Sequence, residues 1–188
     1  MGFWALALLC GGCAVFQSSS AKRPGTVSAG TNDSHGYALL FDLVSDEKDV
    51  SKLHFVKRER PEMKALLQEI ARANRQAHDR LAQLGKAAPQ LNLTDPGLPA
   101  GEIEARKAIS KFKEHALLSA KEKDLEIQLL LSQNEALTYG SHLASTLARG
   151  ETDQQRLQSL QETAAALSGL QEKVVAFLAN NYSWPAAK

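Results

Sequence analysis

The sequence has two cysteines, and both lie near the start of the chain. Cys10 and Cys13 form a C-x-x-C pair, a spacing that suits thiol redox chemistry or one half of a zinc site. A structural zinc site needs four ligands, and the chain has no second cysteine pair. No strand–helix pattern surrounds the pair, as a redox motif would require. The residues around it, Met1 to Ala21, carry no charge, and this favours a leader segment.

Histidines are the other side chains that could bind a metal ion. In di-iron helical bundles a Glu-x-x-His motif puts both ligands on one helix face. None of the five histidines has a glutamate three residues before it: His35, His54, His78, His115 and His142. A weaker candidate site combines His78, Glu135 and His142. Because Glu135 and His142 lie about 10 Å apart along a helix, they need a ligand from another helix, and we expect no metal site.

The sequence contains none of the common catalytic or nucleotide-binding motifs. H-E-x-x-H, G-x-S-x-G, the P-loop and G-x-G-x-x-G are all absent. The formal net charge is +1 and the pI is about 7.8, whereas nucleic-acid-binding domains are typically strongly basic. Aromatic residues, which stack on bases, make up only 6% of the chain. We therefore expect no catalytic residue, no cofactor and no nucleic-acid partner.

The segment LCGGC resembles the lipobox of bacterial lipoprotein signal peptides. It lies in the apolar stretch GFWALALLCGGCAVF, which is shorter than the roughly 20 residues of a membrane-spanning helix. The resemblance implies a signal peptide over residues 1–13 and lipidation of Cys13, although Cys10 stands where that family usually has leucine. Ala14 is not an aspartate, which by the same resemblance implies the outer membrane. A secretory signal that is cleaved without lipidation is the alternative.

The rest of the chain divides into a linker, a short helical segment and a long helical region. Residues 14–36 are rich in serine and glycine, which is typical of a flexible linker. Residues 37–60 predict a short N-terminal helical segment, because Leu39, Leu40 and Leu43 share one helix face. Within it, DVSKLHFVK suits either a strand or a helical turn, and Ser51 as an N-cap candidate favours the helix. Residues 61–182 predict the main helical domain, and residues 183–188 predict a disordered tail.

Residues 61–182 contain four helical patterns. Apolar residues recur at steps of three and four, the loop APQLNLTDPGLPAG follows the first pattern, and Gly150 ends the third. Four helices of about 20 to 28 residues with short connections predict antiparallel neighbours. The fold class is therefore all-α, an antiparallel four-helix bundle.

Three segments resemble a ferritin-like family of bacterial envelope proteins known only as a domain of unknown function. They are FVKRERPEMKALLQEIARANRQAHDRLAQL, NLTDPGLPAGEIEARKAI and LEIQLLLSQNEALTYGSHLASTLA, within residues 50–180. The resemblance implies a ferritin-like bundle, exported and often lipid-anchored, without assured metal ligands. It implies no substrate.

Together these features predict a non-enzymatic lipoprotein of the bacterial envelope. The helical domain would lie at the periplasmic face of the outer membrane, anchored through Cys13, as a structural or interaction module. The apolar stripe from Leu125 to Leu147 suggests a protein partner or self-association as well as the membrane contact. The alternative is a ferritin-like metal-handling or stress-related protein that uses His78, Glu135 and His142.

Overall fold

The computed structural model describes residues 31–49 and 60–182, which form helices and connecting loops. Over these residues the helices are α1 (Thr31–Glu47), α2 (Pro61–Ala87), α3 (Ala100–Ser119), α4 (Glu122–Gly150) and α5 (Gln154–Asn181). This confirms the all-α fold class. The expected signal peptide with Cys13, most of the expected linker, residues 50–59 of the expected N-terminal helical segment and the tail 183–188 lie outside the described residues. None of these helices is both long and apolar enough to cross a bilayer.

Helix α1 begins earlier than the sequence predicts. The expected linker extends to residue 36, whereas α1 already begins at Thr31. Two contacts with the loop between α2 and α3 stabilise its first turns: the Ser34 hydroxyl accepts a hydrogen bond from the Asn92 amide (2.9 Å), and His35 Nδ1 donates one to the Asp95 carbonyl (3.0 Å). These partners are about 60 residues away, so local composition did not reveal them.

The ends of α2 and α5 follow from local chemistry. Pro61 occupies the first position of α2, where its missing N–H costs no hydrogen bond. Asp153 caps α5, because its side chain accepts a hydrogen bond from the Arg156 amide at 2.9 Å. Helix α2 continues past Gly85 to Ala87. A Cβ atom on Gly85 would lie 2.6 Å from Leu93 Cδ1, so this glycine allows the following loop to approach the helix.

Helices α1 and α5 each pack against both α2 and α4, while α3 contacts α4 to a lesser extent. Side-chain contacts give the directions of these neighbours. Lys173 on α5 bonds Glu69 near the start of α2, and Arg80 further along α2 bonds Thr163, so α2 and α5 are antiparallel. Tyr37 near the start of α1 bonds Glu151 after the end of α4, which makes α1 and α4 antiparallel as well.

The apolar core has two clusters, and α1 takes the place expected for α3. One cluster joins α2, α4 and α5, and the other joins the same three helices to α1. Among the described side chains of α3, the partly buried Leu117 is the one that packs against these clusters. The reason is in its pattern: Ile103 and Phe112 are nine residues apart, which at about 100° per residue puts them on opposite faces. A helix without one apolar stripe cannot bury its apolar residues against one neighbour.

Candidate functional site between α3 and α4

An apolar cleft lies between α3 and α4 on the outer surface of the helices. Its volume is about 330 Å³, and its lining includes Phe112, Lys113, Leu117, Leu131, Ser132 and Glu135. Phe112 is 74% exposed, and Leu131 on the facing helix is also exposed. An exposed aromatic ring beside an apolar cleft is a feature of interaction surfaces more than of folded cores.

Charged side chains attach α3 to the rest of the domain. Lys113 Nζ donates a hydrogen bond to Glu135 of α4 at 2.6 Å, across the cleft. Lys113 also faces the Glu47 carboxyl group, and Arg106 faces Asp42. None of the described side chains of α3 is fully buried. This helix is therefore held more by charge and by the edge of the cleft than by an apolar interface.

Behind the cleft, the end of α1 carries a buried carboxyl group. Glu47 is 3% exposed, and its Oε2 accepts a hydrogen bond from Gln133 Nε2 of α4 at 2.7 Å. Burial raises the pKa of Glu47 to about 7, although the bond from Gln133 and the charge of Lys113 act in the opposite direction. Burial, with the charges of Asp42 and Glu47, raises the pKa of Asp46 to about 8. The cleft is thus adjacent to a group of carboxyls that resist ionisation.

The structure separates the three candidate metal ligands. His78 on α2 stacks on the Phe41 ring of α1, with 4.8 Å between ring centroids. Glu135 is paired with Lys113, and the exposed His142 lies two helical turns further along α4. Among the residues described, no three His, Cys, Asp or Glu side chains form a group that could hold a metal ion. The geometry therefore gives no support to metal handling by His78, Glu135 and His142.

A tyrosine–glutamate–arginine cluster connects the start of α1 to the turn between α4 and α5. The Tyr37 hydroxyl donates to Glu151 at 2.6 Å, and Arg156 donates to both oxygens of Glu151 at 2.8 Å. The Arg156 guanidinium, followed by Tyr37 and the Asp153 amide, lowers the pKa of Glu151 to about 2. All of these groups donate hydrogen bonds to the same carboxylate, so the cluster has a structural role.

A second cluster with the same residue types lies at the opposite end of the helices. Tyr182 and Arg60 both donate hydrogen bonds to Glu126 at the start of α4. The Arg60 guanidinium also lies over the Phe177 ring, 5.1 Å from its centroid. Burial and the neighbouring Glu126 raise the pKa of Tyr182 to about 12. This cluster joins Arg60, the residue before α2, to the start of α4 and the end of α5, and is structural as well.

Sequence reasoning did not identify Glu47, Gln133 or the exposure of Phe112. The segment SDEKD around Glu47 has the composition of a solvated helix end, and no local signal distinguishes its one buried carboxyl. The exposure of Phe112 did have a signal, since its spacing from Ile103 does not fit a single apolar stripe.

No protein-family model matches the sequence, and no curated protein or solved structure matches it either. The resemblance to a ferritin-like envelope family therefore stays a prediction.

Proposed function

We propose that this chain is a non-enzymatic lipoprotein of the bacterial envelope whose helical domain is an interaction module. The lipobox-like LCGGC supports export and anchoring of Cys13 at the periplasmic face of the outer membrane. The observation that carries the interaction role is the exposed Phe112 beside the apolar cleft between α3 and α4. No group of metal-binding side chains among the described residues favours the metal-handling alternative.

We also propose that the domain is an antiparallel four-helix bundle whose architecture is similar to that of the ferritin-like family. Its helices are α1, α2, α4 and α5, and α3 lies outside them. Pairwise contacts support this arrangement, because α1 and α5 each pack against both α2 and α4. Its consequence for function is that α3 presents its apolar side chains to a partner and not to the core.

The partner of this surface in our proposal is a second copy of the chain. The projecting Phe112 ring and the apolar cleft belong to the same face, so a two-fold axis would place each ring in the cleft of the other copy. Burying each phenylalanine contributes about 1.5–3 kcal/mol.

Sedimentation velocity of the full-length protein in detergent tests this proposal. We expect a concentration-dependent dimer that Phe112→Glu converts to a monomer, since the carboxylate would have to be buried in the apolar cleft. Val175→Glu is the matched control, because Val175 is an exposed apolar residue on α5, away from the cleft. A monomer at all concentrations, or a Phe112→Glu dimer as stable as the wild type, would contradict self-association.

A further inference from the structure

The buried end of α1 has chemistry that neither the cleft nor the membrane anchor uses. We infer that it is a proton-dependent latch, in which α1 docks on α4 while Glu47 carries a proton and loosens when that proton is lost. The latch is independent of the proposed dimer, because it depends only on contacts within one chain.

The immediate partner of Glu47 suits both protonation states of a carboxyl group. Gln133 is fully buried, and its Nε2 donates to Glu47 Oε2 at 2.7 Å. The other polar atom of this side chain, Gln133 Oε1, has no hydrogen-bond partner within the described part of the chain. Rotating the amide by half a turn would let Oε1 accept a hydrogen bond from a protonated Glu47. The same amide can thus bond either the carboxylate or the neutral acid, and the burial of both side chains is what disfavours the charged form.

The position of Glu47 at the helix end also opposes a negative charge. It is the last residue of α1, where the partial negative charge of the helix C-terminus lies. Asp46 is its neighbour in sequence, and Asp42 lies one turn earlier. Desolvation favours the neutral forms of both Glu47 and Asp46, and at Asp46 the charges of Asp42 and Glu47 add to this effect.

The cations that face this cluster are already engaged in other interactions. From α3, Lys113 faces Glu47 but bonds Glu135 at 2.6 Å, while Arg106 faces Asp42 but bonds Glu102 at 2.8 Å. Lys48, the first residue after α1, faces Asp46.

Helix α2 contributes two more basic groups at this end of α1. Its His78 Nε2 lies 3.2 Å from Lys48 Nζ, and its Arg75 donates to the Lys48 carbonyl at 3.2 Å. Neither group has a direct hydrogen bond to Glu47 in the described structure. The cations on the surrounding helices would therefore offset the negative charge of an ionised Glu47 only in part.

The direction of the pH effect follows from the difference between the docked and undocked states. Burial holds the pKa of Glu47 at about 7 in the docked state, above the ordinary value of 4.5 that it regains on exposure. The docked state therefore binds the proton more tightly. The stabilisation of the docked state by this proton is complete below pH 4.5 and is lost as the pH rises through about 7.

Hydrogen exchange of the α1 amides in the full-length protein, corrected for the intrinsic effect of pH, tests the latch. We expect the protection of residues 40–47 to fall at least tenfold between pH 5 and pH 7.5. Glu47→Gln should make this fall smaller, because the amide has no proton to lose, and the double variant Asp46→Asn, Glu47→Gln should reduce it to less than threefold, because Asp46 also has a raised pKa in the docked state. Glu172→Gln is the control, an exposed acid on α5 that should leave the fall unchanged.

Protection that is constant with pH, or a Glu47→Gln variant that follows the wild type, would overturn the inference. Protection that increases with pH would also overturn it, because the ionised Glu47 would then be stabilised by Lys113. If Glu47→Gln does not fold, carboxyl ¹³C NMR of the wild type tests the inference instead, because it follows the titration of Glu47 directly. A Glu47 midpoint near 7 supports the latch, and a midpoint near 4.5 excludes it.

Discussion

At the scale of single residues, the carboxylate of Glu151 organises the junction of α1, α4 and α5. It accepts hydrogen bonds from Tyr37, Arg156 and the Asp153 amide. We expect Arg156→Gln to destabilise the protein by about 1–3 kcal/mol at pH 7, because it removes the bidentate partner of a mostly buried charge. Urea unfolding measures the change, and Arg149→Gln at the exposed end of α4 is the control.

The same carboxylate predicts how the protein responds to acid. The pKa of Glu151 is lowered to about 2 in the folded state from an ordinary 4.5. Its contribution to stability is therefore present above pH 4.5 and is lost as the pH falls towards 2. Wild-type stability should decline over this range, and Arg156→Gln should decline less. An equal decline in both would show that the Arg156–Glu151 pair does not stabilise the fold.

Two helical glycines provide a test of how closely the elements pack. A Cβ atom on Gly140 of α4 would lie 2.7 Å from Leu43 of α1 and 2.8 Å from Leu167 of α5, whereas nothing lies within 4 Å of a Cβ on Gly169. We expect Gly140→Ala to lower the free energy of unfolding by about 1–3 kcal/mol through overpacking. Gly169→Ala should raise it by about 0.5–1 kcal/mol through helix propensity. Equal effects would contradict the close approach of α1 and α5 to α4.

Helix α3 should be the least protected element of the domain. None of its described side chains is fully buried, and its attachment to α4 includes the Lys113–Glu135 ion pair. We expect its amides to exchange faster than those of α4 and α5, with a further increase in 1 M salt, where the Debye length is about 3 Å. Protection of α3 equal to that of α5 would contradict its peripheral position.

These elements also show how far sequence reasoning reached. The long apolar periodicities of α2, α4 and α5 predicted helices that form the core, because a stripe at steps of three and four must be buried. The early start of α1 depends on Ser34 and His35 contacts with a loop about 60 residues away. Likewise, the burial of Glu47 depends on Gln133 from another helix. Long-range contacts of this kind leave no local pattern, so the site behind the cleft could not be predicted.

At the scale of the whole molecule, we propose a lipid anchor that is followed by a helical domain with an outward-facing α3. In our proposal, export and anchoring would give the exposed Phe112 face a location where a second copy on the same membrane surface could reach it. Restriction to a membrane surface also raises the effective concentration of the partner, so a modest interface suffices. The central claim is therefore the anchor at Cys13.

The intact mass of protein extracted from bacterial membranes, beside a Cys13→Ser variant, tests that claim most directly. We expect a mature chain that begins at Cys13 and carries the added mass of acyl groups, with neither feature in the variant. A chain that retains Met1 without modification would contradict the lipoprotein assignment. An unmodified chain cleaved further along would leave an exported helical domain without its membrane anchor.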